Sequence, residues 1–103
     1  MKLTNDEIIE CCNSVIYFLE VSDDEMMKLG GFDTPSNQLM VETLRKYNYQ
    51  MPSFIYNLSK VFKFEYKIEE PRLFFSNEDN WNILRIIVRR LKLERLDDIN
   101  RTT

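Results

Sequence analysis

The fold of this chain is decided by WNILRIIVRRL, residues 81–91, within a longer helical stretch that runs from Ser76 to Ile99. With a helical period of about 3.6 residues, one broad face of this stretch is apolar. That face comprises Ile83, Leu84, Ile87, Val88 and Leu91, with Trp81 at its rim. Ile86 and Leu93 fall on the opposite side. A helix that is apolar on two sides either lies at the centre of a small core or offers its second side to a partner.

Length and composition favour one helical domain. The 103 residues, 1–103, suit a single domain with a modest core. Only two glycines and three prolines interrupt the chain, whereas seven Phe, five Tyr and one Trp provide large apolar side chains. Few breakers and many helix-forming residues predict a mainly α protein.

Capping signals divide the first part of the chain into helices. Thr4–Glu7 is a capping box that opens a heavily apolar helix, and it predicts that helix to about Val21. Ser22–Glu25 is a second capping box, which predicts a break and a new short helix over 23–29. Thr34 and Pro35 predict the start of a helix that reaches about Tyr47, and Pro52 predicts the next one.

Strict alternation replaces the helical period after residue 62. Aromatic and aliphatic residues alternate with charged ones up to Ile68, which is typical of a half-buried strand. Residues 72–75 could return as a second strand, or the whole segment could be an extended loop whose aromatic rings fill gaps between helices. The predicted architecture is therefore a compact bundle of four to five helices, with a short β-hairpin or an extended segment at about 62–75.

The residue types that most enzymes need are scarce. The chain has no histidine, and its two glycines lack the flanking residues of a phosphate-binding loop. The neighbouring Cys11 and Cys12 cannot easily form a disulfide with each other, and we expect two buried apolar thiols in a reducing compartment. We therefore expect no catalytic residue, no metal and no cofactor. No apolar run approaches the roughly 18 residues of a membrane span, so we expect a cytoplasmic protein without membrane contact.

Charge is distributed unevenly along the chain. Residues 1–51 carry a net charge of −5 and residues 52–103 a net charge of +2. The acidic part has an ordinary interpretation as helix-start carboxylates and a solvated face, and a functional one as a surface that meets a basic partner. The predicted contact residues are its acidic side chains and nearby tyrosines: Glu10, Tyr17, Glu20, Asp23, Asp24, Glu25, Tyr49 and Tyr56.

A basic ridge on the last helix suggests an alternative. Arg85, Arg89 and Lys92 have the spacing that could follow phosphates of a nucleic acid. Against this, apolar residues interleave with the arginines and the whole chain has a formal charge of −3. The other interpretation of the ridge is that its arginines form ion pairs with acids elsewhere in the chain.

Taken together, these features predict a small, acidic, non-enzymatic protein-binding module. Its profile is similar in type to immunity proteins and virus-encoded inhibitors, although no motif carries the similarity. We expect it to mask a basic site on a partner protein. The alternative is a nucleic-acid-binding protein that uses the basic ridge, and the sequence leaves a homo-oligomer open.

Overall fold

The computed structural model describes residues 3–29 and 34–102. Within these ranges it describes the backbone but not the side chains of residues 23, 25, 26, 29 and 95–102. Within these ranges the chain forms five helices and no strand. They are α1 (Asn5–Leu29), α2 (Pro35–Lys46), α3 (Met51–Phe62), α4 (Pro71–Phe75) and α5 (Glu78–Thr102). The predicted mainly α bundle is confirmed.

The core is built from the apolar faces of all five helices. Helix α1 packs against α2 and α5, and α4 packs against α5. The buried apolar residues are Ile8, Ile9, Cys11, Cys12, Val15, Met40, Leu44, Phe54, Ile55, Leu58, Phe74, Leu84, Ile87, Val88 and Leu91. Both cysteines are free and buried, as the sequence predicted.

Helix α1 continues through the predicted break. The capping signal at Ser22–Glu25 lies inside an uninterrupted helix of 25 residues. Serine and aspartate in a helix interior cost less than about 0.7 kcal/mol each, whereas a break would leave backbone donors and acceptors without partners. The predicted break is therefore wrong. The glycine predicted to end this helix, Gly30, lies outside the described residues.

Side-chain caps are present at the starts of α1, α2 and α5. The Thr4 hydroxyl accepts from the Glu7 amide at 3.2 Å, and Thr34 accepts from the Asn37 amide at 3.2 Å ahead of Pro35. Helix α5 begins after Asn77, whose side-chain oxygen accepts from the Asp79 amide at 3.0 Å. These bonds satisfy amide groups that have no partner inside the first turn of a helix.

The segment after α3 is an extended loop, so the hairpin alternative is wrong. Lys63 ends α3 in the left-handed conformation, with φ 57°, and the chain then runs through residues 64–67 without strand pairing. Residues 72–75, the would-be second strand, belong to α4, because Pro71 fixes the backbone angle of a first helical turn.

Aromatic rings of this loop pack around Phe74. The ring of Phe64 lies 5.7 Å from that of Phe74, and Tyr66 meets it edge-on at 5.5 Å between centroids. The Tyr66 hydroxyl is buried, and no described residue pairs with it; burial raises its pKa. The alternation in the sequence thus reflects rings that turn inward from a loop.

Helix α5 forms an edge of the bundle. Its first apolar face is buried, with Leu84 and Leu91 at 0% and 3% exposure. Its second side faces outward, since Ile86 is 64% and Leu93 56% exposed. The structure therefore places α5 with one face on its own core and the other in solvent.

Candidate protein-binding surfaces

One face of α1 carries four of the eight predicted contact residues. We define the acidic strip as the exposed residues Glu10, Asn13, Tyr17, Glu20 and Asp24. Their spacing of three and four residues places them along a single face, and Asp24 is in line because α1 has no break. The side chains of the other two predicted acids, Asp23 and Glu25, lie outside the described set.

Glu10 is fixed at one end of the strip by two residues of the α2 end. The Lys46 ammonium lies 3.2 Å from Oε1, and the Tyr47 hydroxyl donates to Oε2. The hydrogen bond from Tyr47, with help from Lys46, lowers the pKa of Glu10. The hydrogen bond to Glu10 in turn raises the pKa of Lys46 and that of Tyr47. This cluster joins α1 to α2.

Glu20 is fixed at the other end by α5. Arg85 Nη2 donates to Glu20 Oε1, and Arg85 Nη1 donates to Asn82 Oδ1 at 2.7 Å. Both charged side chains remain about half exposed, so the pair itself contributes little to stability. Its main consequence is that one arginine of the basic ridge contacts α1 and is balanced by Glu20.

Tyr17 lies between these two ion pairs. Its side chain is 43% exposed, and it is the large aromatic residue of the strip. Asp24, one turn beyond Glu20, is exposed and has no ion pair among the described residues. The strip therefore presents one ring, two ion-paired carboxylates and one carboxylate, that of Asp24, for which the described residues provide no ion pair.

The predicted contact residues Tyr49 and Tyr56 lie on other elements and are half-buried. Tyr49, in the α2–α3 connection, packs edge-on against Phe54 with centroids 6.0 Å apart. Tyr56 of α3 carries the Lys60 ammonium 4.5 Å above its ring. In the described part of the chain no hydrogen bond or ion pair joins either tyrosine to the acidic strip.

The basic ridge of α5 is only partly available. Arg85 pairs with Glu20, while Arg89 and Lys92 are exposed and have no ion pair among the described residues. The exposed Ile86 lies between Arg85 and Arg89 in sequence. The sequence already indicated this mixed basic and apolar surface, because Ile86 and Leu93 form a second apolar side of the last helix beside its arginines.

The described residues include many acidic side chains and two cysteines. They contain no group of three or more His, Cys, Asp or Glu side chains placed to hold a metal ion. Burial raises the pKa of Cys11 to about 12 and also raises that of Cys12, so neither thiol is an activated nucleophile. Among the described helices, none combines the length and the apolar character that crossing a membrane requires.

Comparison with protein-family models, with curated proteins and with solved structures gives no significant match. By its fold, the chain is a small, mainly α bundle. Any function must be argued from the surfaces of this chain.

Proposed function

We propose that this chain is a non-enzymatic protein-binding module that acts as an inhibitor, by covering a basic site on a partner protein. The observation that carries the proposal is the acidic strip, where exposed Tyr17 stands between Glu10 and Glu20 on one helix face. Lys46 and Arg85 balance the charges of Glu10 and Glu20, so the unbalanced negative charge of the strip is that of Asp24. The strip lies in the acidic first half of the chain, whose net charge is −5.

Preorganisation of the strip supports this proposal. Contacts with Lys46 and Arg85 narrow the range of positions open to Glu10 and Glu20, which reduces part of the ordering cost of binding. Each carboxylate still has acceptor sites left, because it offers about four lone-pair positions. Tyrosine supplies a large contact area at a low cost in conformational entropy.

The partner expected from this chemistry has a basic, partly apolar site. Asp24 extends the negative charge beyond the ion-paired residues, and such charge steers association before contact. We propose that the chain acts as immunity proteins and virus-encoded inhibitors do, by covering this site. A cytoplasmic site of action belongs to the same proposal.

The test begins with affinity capture from the cells that express the chain, followed by mass spectrometry. Capture with the parent and with Tyr17→Ala identifies partners that depend on the strip. Tyr17→Phe is the matched control, because it keeps the ring and removes only the hydroxyl.

Surface plasmon resonance with the captured partner then measures the association rate, which long-range charge affects, separately from the dissociation rate, which contacts of the bound ring affect. Asp24→Asn should lower kon and flatten its dependence on salt, while Tyr17→Ala should mainly raise koff. Glu65→Gln removes one exposed charge outside the strip and serves as the control. Equal effects of Asp24→Asn and Glu65→Gln, or no effect of Tyr17→Ala, would refute the use of this strip.

Nucleic-acid binding by the basic ridge is the alternative function. Exposed Arg89 and Lys92, without a described ion pair, favour it. Two features oppose it: Arg85 is neutralised by Glu20, and Ile86 places an apolar side chain where phosphates would lie. Mobility shifts with duplex and single-stranded DNA should show no micromolar binding. A steep fall of affinity with salt, lost in Arg89→Ala, would favour the alternative.

A further inference from the structure

A second surface of the molecule lies on the outward side of α5. We define the Ile86 surface as Ile86 and Leu93 together with Arg89 and Arg90, which flank them. Ile86 and Leu93 are 64% and 56% exposed, and they are seven residues apart. Seven residues are close to two helical turns, so the two side chains form one seam about 10 Å long.

Ile86 stands between two grooves. On one side is an apolar groove of about 130 Å³, lined by Phe62 and Phe64 and by the α5 residues Ile83, Ile86, Ile87 and Arg90. That volume is several times the roughly 30 Å³ of one water molecule, so a small apolar side chain could enter. On the other side is an open groove formed by Asn82, Arg85, Ile86 and Arg89.

Arginine side chains border the apolar seam on both sides, and Glu94 balances the charge of one of them. The helical period places Arg89 about 60° to one side of Ile86 and Arg90 about 40° to the other. Arg90 makes a long ion pair with Glu94, 3.6 Å between Nε and Oε1, on an exposed part of the helix. Arg89 has no ion pair among the described residues, so its guanidinium is the cation best placed to meet an external carboxylate.

We propose that the Ile86 surface binds an acidic amphipathic helix of a partner protein. An apolar residue of that helix would enter the groove beside Phe62 and Phe64, and its neighbouring carboxylates would meet Arg89 and Arg90. A helix fits because the seam repeats after two turns, which is the spacing of apolar residues along an amphipathic helix. The proposal concerns a different surface from the acidic strip and does not depend on it.

Charge complementarity selects this occupant over two others. A second copy of the chain, packed seam against seam, would bring Arg89 and Arg90 of both copies together, and such like-charge contacts are unfavourable. A nucleic acid would match the arginines but would leave exposed Ile86 and Leu93 without apolar contact. An acidic amphipathic helix matches both the charge and the apolar seam.

The experiment uses the full chain, labelled with ¹⁵N, and three synthetic peptides. The first peptide is an acidic amphipathic helix with leucines on one face and glutamates beside them. The second has the same composition in scrambled order, and the third replaces glutamate with lysine. Chemical shifts should move only for the first peptide, and the shifts should be confined to Phe62–Phe64 and Asn82–Leu93.

Matched variants test the two components of the surface separately. Ile86→Ala and Arg89→Glu should each weaken binding of the acidic peptide by about tenfold or more. Leu73→Ala and Lys67→Glu change an exposed leucine and an exposed lysine elsewhere, and should leave binding unchanged. All four positions are exposed, and circular dichroism should show parental helicity in each variant.

Several results would overturn the proposal. Equal binding of the scrambled peptide would show mere charge attraction, and the absence of shifts at millimolar peptide would show no site. Tight, salt-sensitive DNA binding that moves the same resonances would assign the surface to nucleic acid. Concentration-dependent sedimentation that Ile86→Ala abolishes would assign it to a second copy.

Discussion

Two pairs of substitutions on α5 test whether the helix has one buried and one outward face. Ile87 and Ile86 are neighbours of identical chemistry, yet they are 4% and 64% exposed. Leu91 and Leu93 form a second pair, at 3% and 56%. Replacing each by alanine removes the same atoms from the same helix. A difference in the loss of stability within a pair therefore comes from which face the residue lies on, and not from the type of side chain.

The size of the effect follows from burial. Isoleucine to alanine removes about three carbon groups, or roughly 2.4 kcal/mol of transfer free energy when they are fully buried. A residual cavity adds to this, so Ile87→Ala and Leu91→Ala should cost about 2–5 kcal/mol each. At Ile86 only about a third of that transfer term applies, no cavity forms, and the better helix propensity of alanine offsets much of the rest. Ile86→Ala and Leu93→Ala should therefore stay within about 0.5 kcal/mol of the parent.

Thermal and urea unfolding followed by circular dichroism measure these differences. In a domain of this size 1 kcal/mol corresponds to about 4–8 °C, so Ile87→Ala and Leu91→Ala should lower Tm by at least about 10 °C. Their urea m-values should match that of the parent, which shows that the unfolded state is unchanged. Equal Tm losses within either pair would refute the assignment of faces on α5, and with it the Ile86 surface.

Two further predictions concern titratable groups of α1. Because the Tyr47 hydroxyl and Lys46 lower the pKa of Glu10 from its ordinary 4.5, its contribution to stability is present above that value and is lost as pH falls through the lowered pKa. Glu10→Gln should therefore unfold at a lower temperature than the parent at pH 7, and the difference should shrink as pH falls below 4.5 through the lowered pKa. A difference that stays constant as the solution is acidified would contradict the ion-pair cluster. Cys11, whose pKa burial raises to about 12, and Cys12 should both resist Ellman's reagent at about pH 8 in the folded protein and react after unfolding in guanidinium. Fast reaction of either thiol without denaturant would show that α1 is not buried as described.

The features that the sequence predicts well are local ones. The helical period of α5, the hydroxyl cap of Thr34 and the burial of Cys11 and Cys12 depend on residues a few positions apart, and the structure has them. The predicted break at Ser22 was wrong because capping boxes are weak preferences that a continuous packed helix can override. The alternation around Phe64 was ambiguous, since a period of two also describes rings that turn inward from a loop.

The candidate site depended on contacts that a single sequence cannot reveal. Glu10 meets Tyr47 across 37 positions, and Glu20 meets Arg85 across 65. Only the packing of α1 against α2 and α5 determines which acids of the strip face which bases. Sequence alone could therefore place Glu10 and Glu20 on one helix face with Tyr17, but could not show that both are already paired.

This pairing changes which residues can decide the function. Neutralising Glu20 would release Arg85 as well as remove a negative charge, so a binding loss in Glu20→Gln would not distinguish lost attraction from a rearranged α5. Asp24 has no described ion pair, and Tyr17 carries no charge, so their substitution alters the strip without freeing a cation. If a partner recognises the strip as a charged surface, Asp24→Asn must affect kon; if it recognises the ring, Tyr17→Ala must affect koff. A partner whose binding is unchanged by both of these substitutions but weakened by Ile86→Ala would bind through α5. The acidic strip would then be a solvated face whose ion pairs connect α1 to α2 and α5.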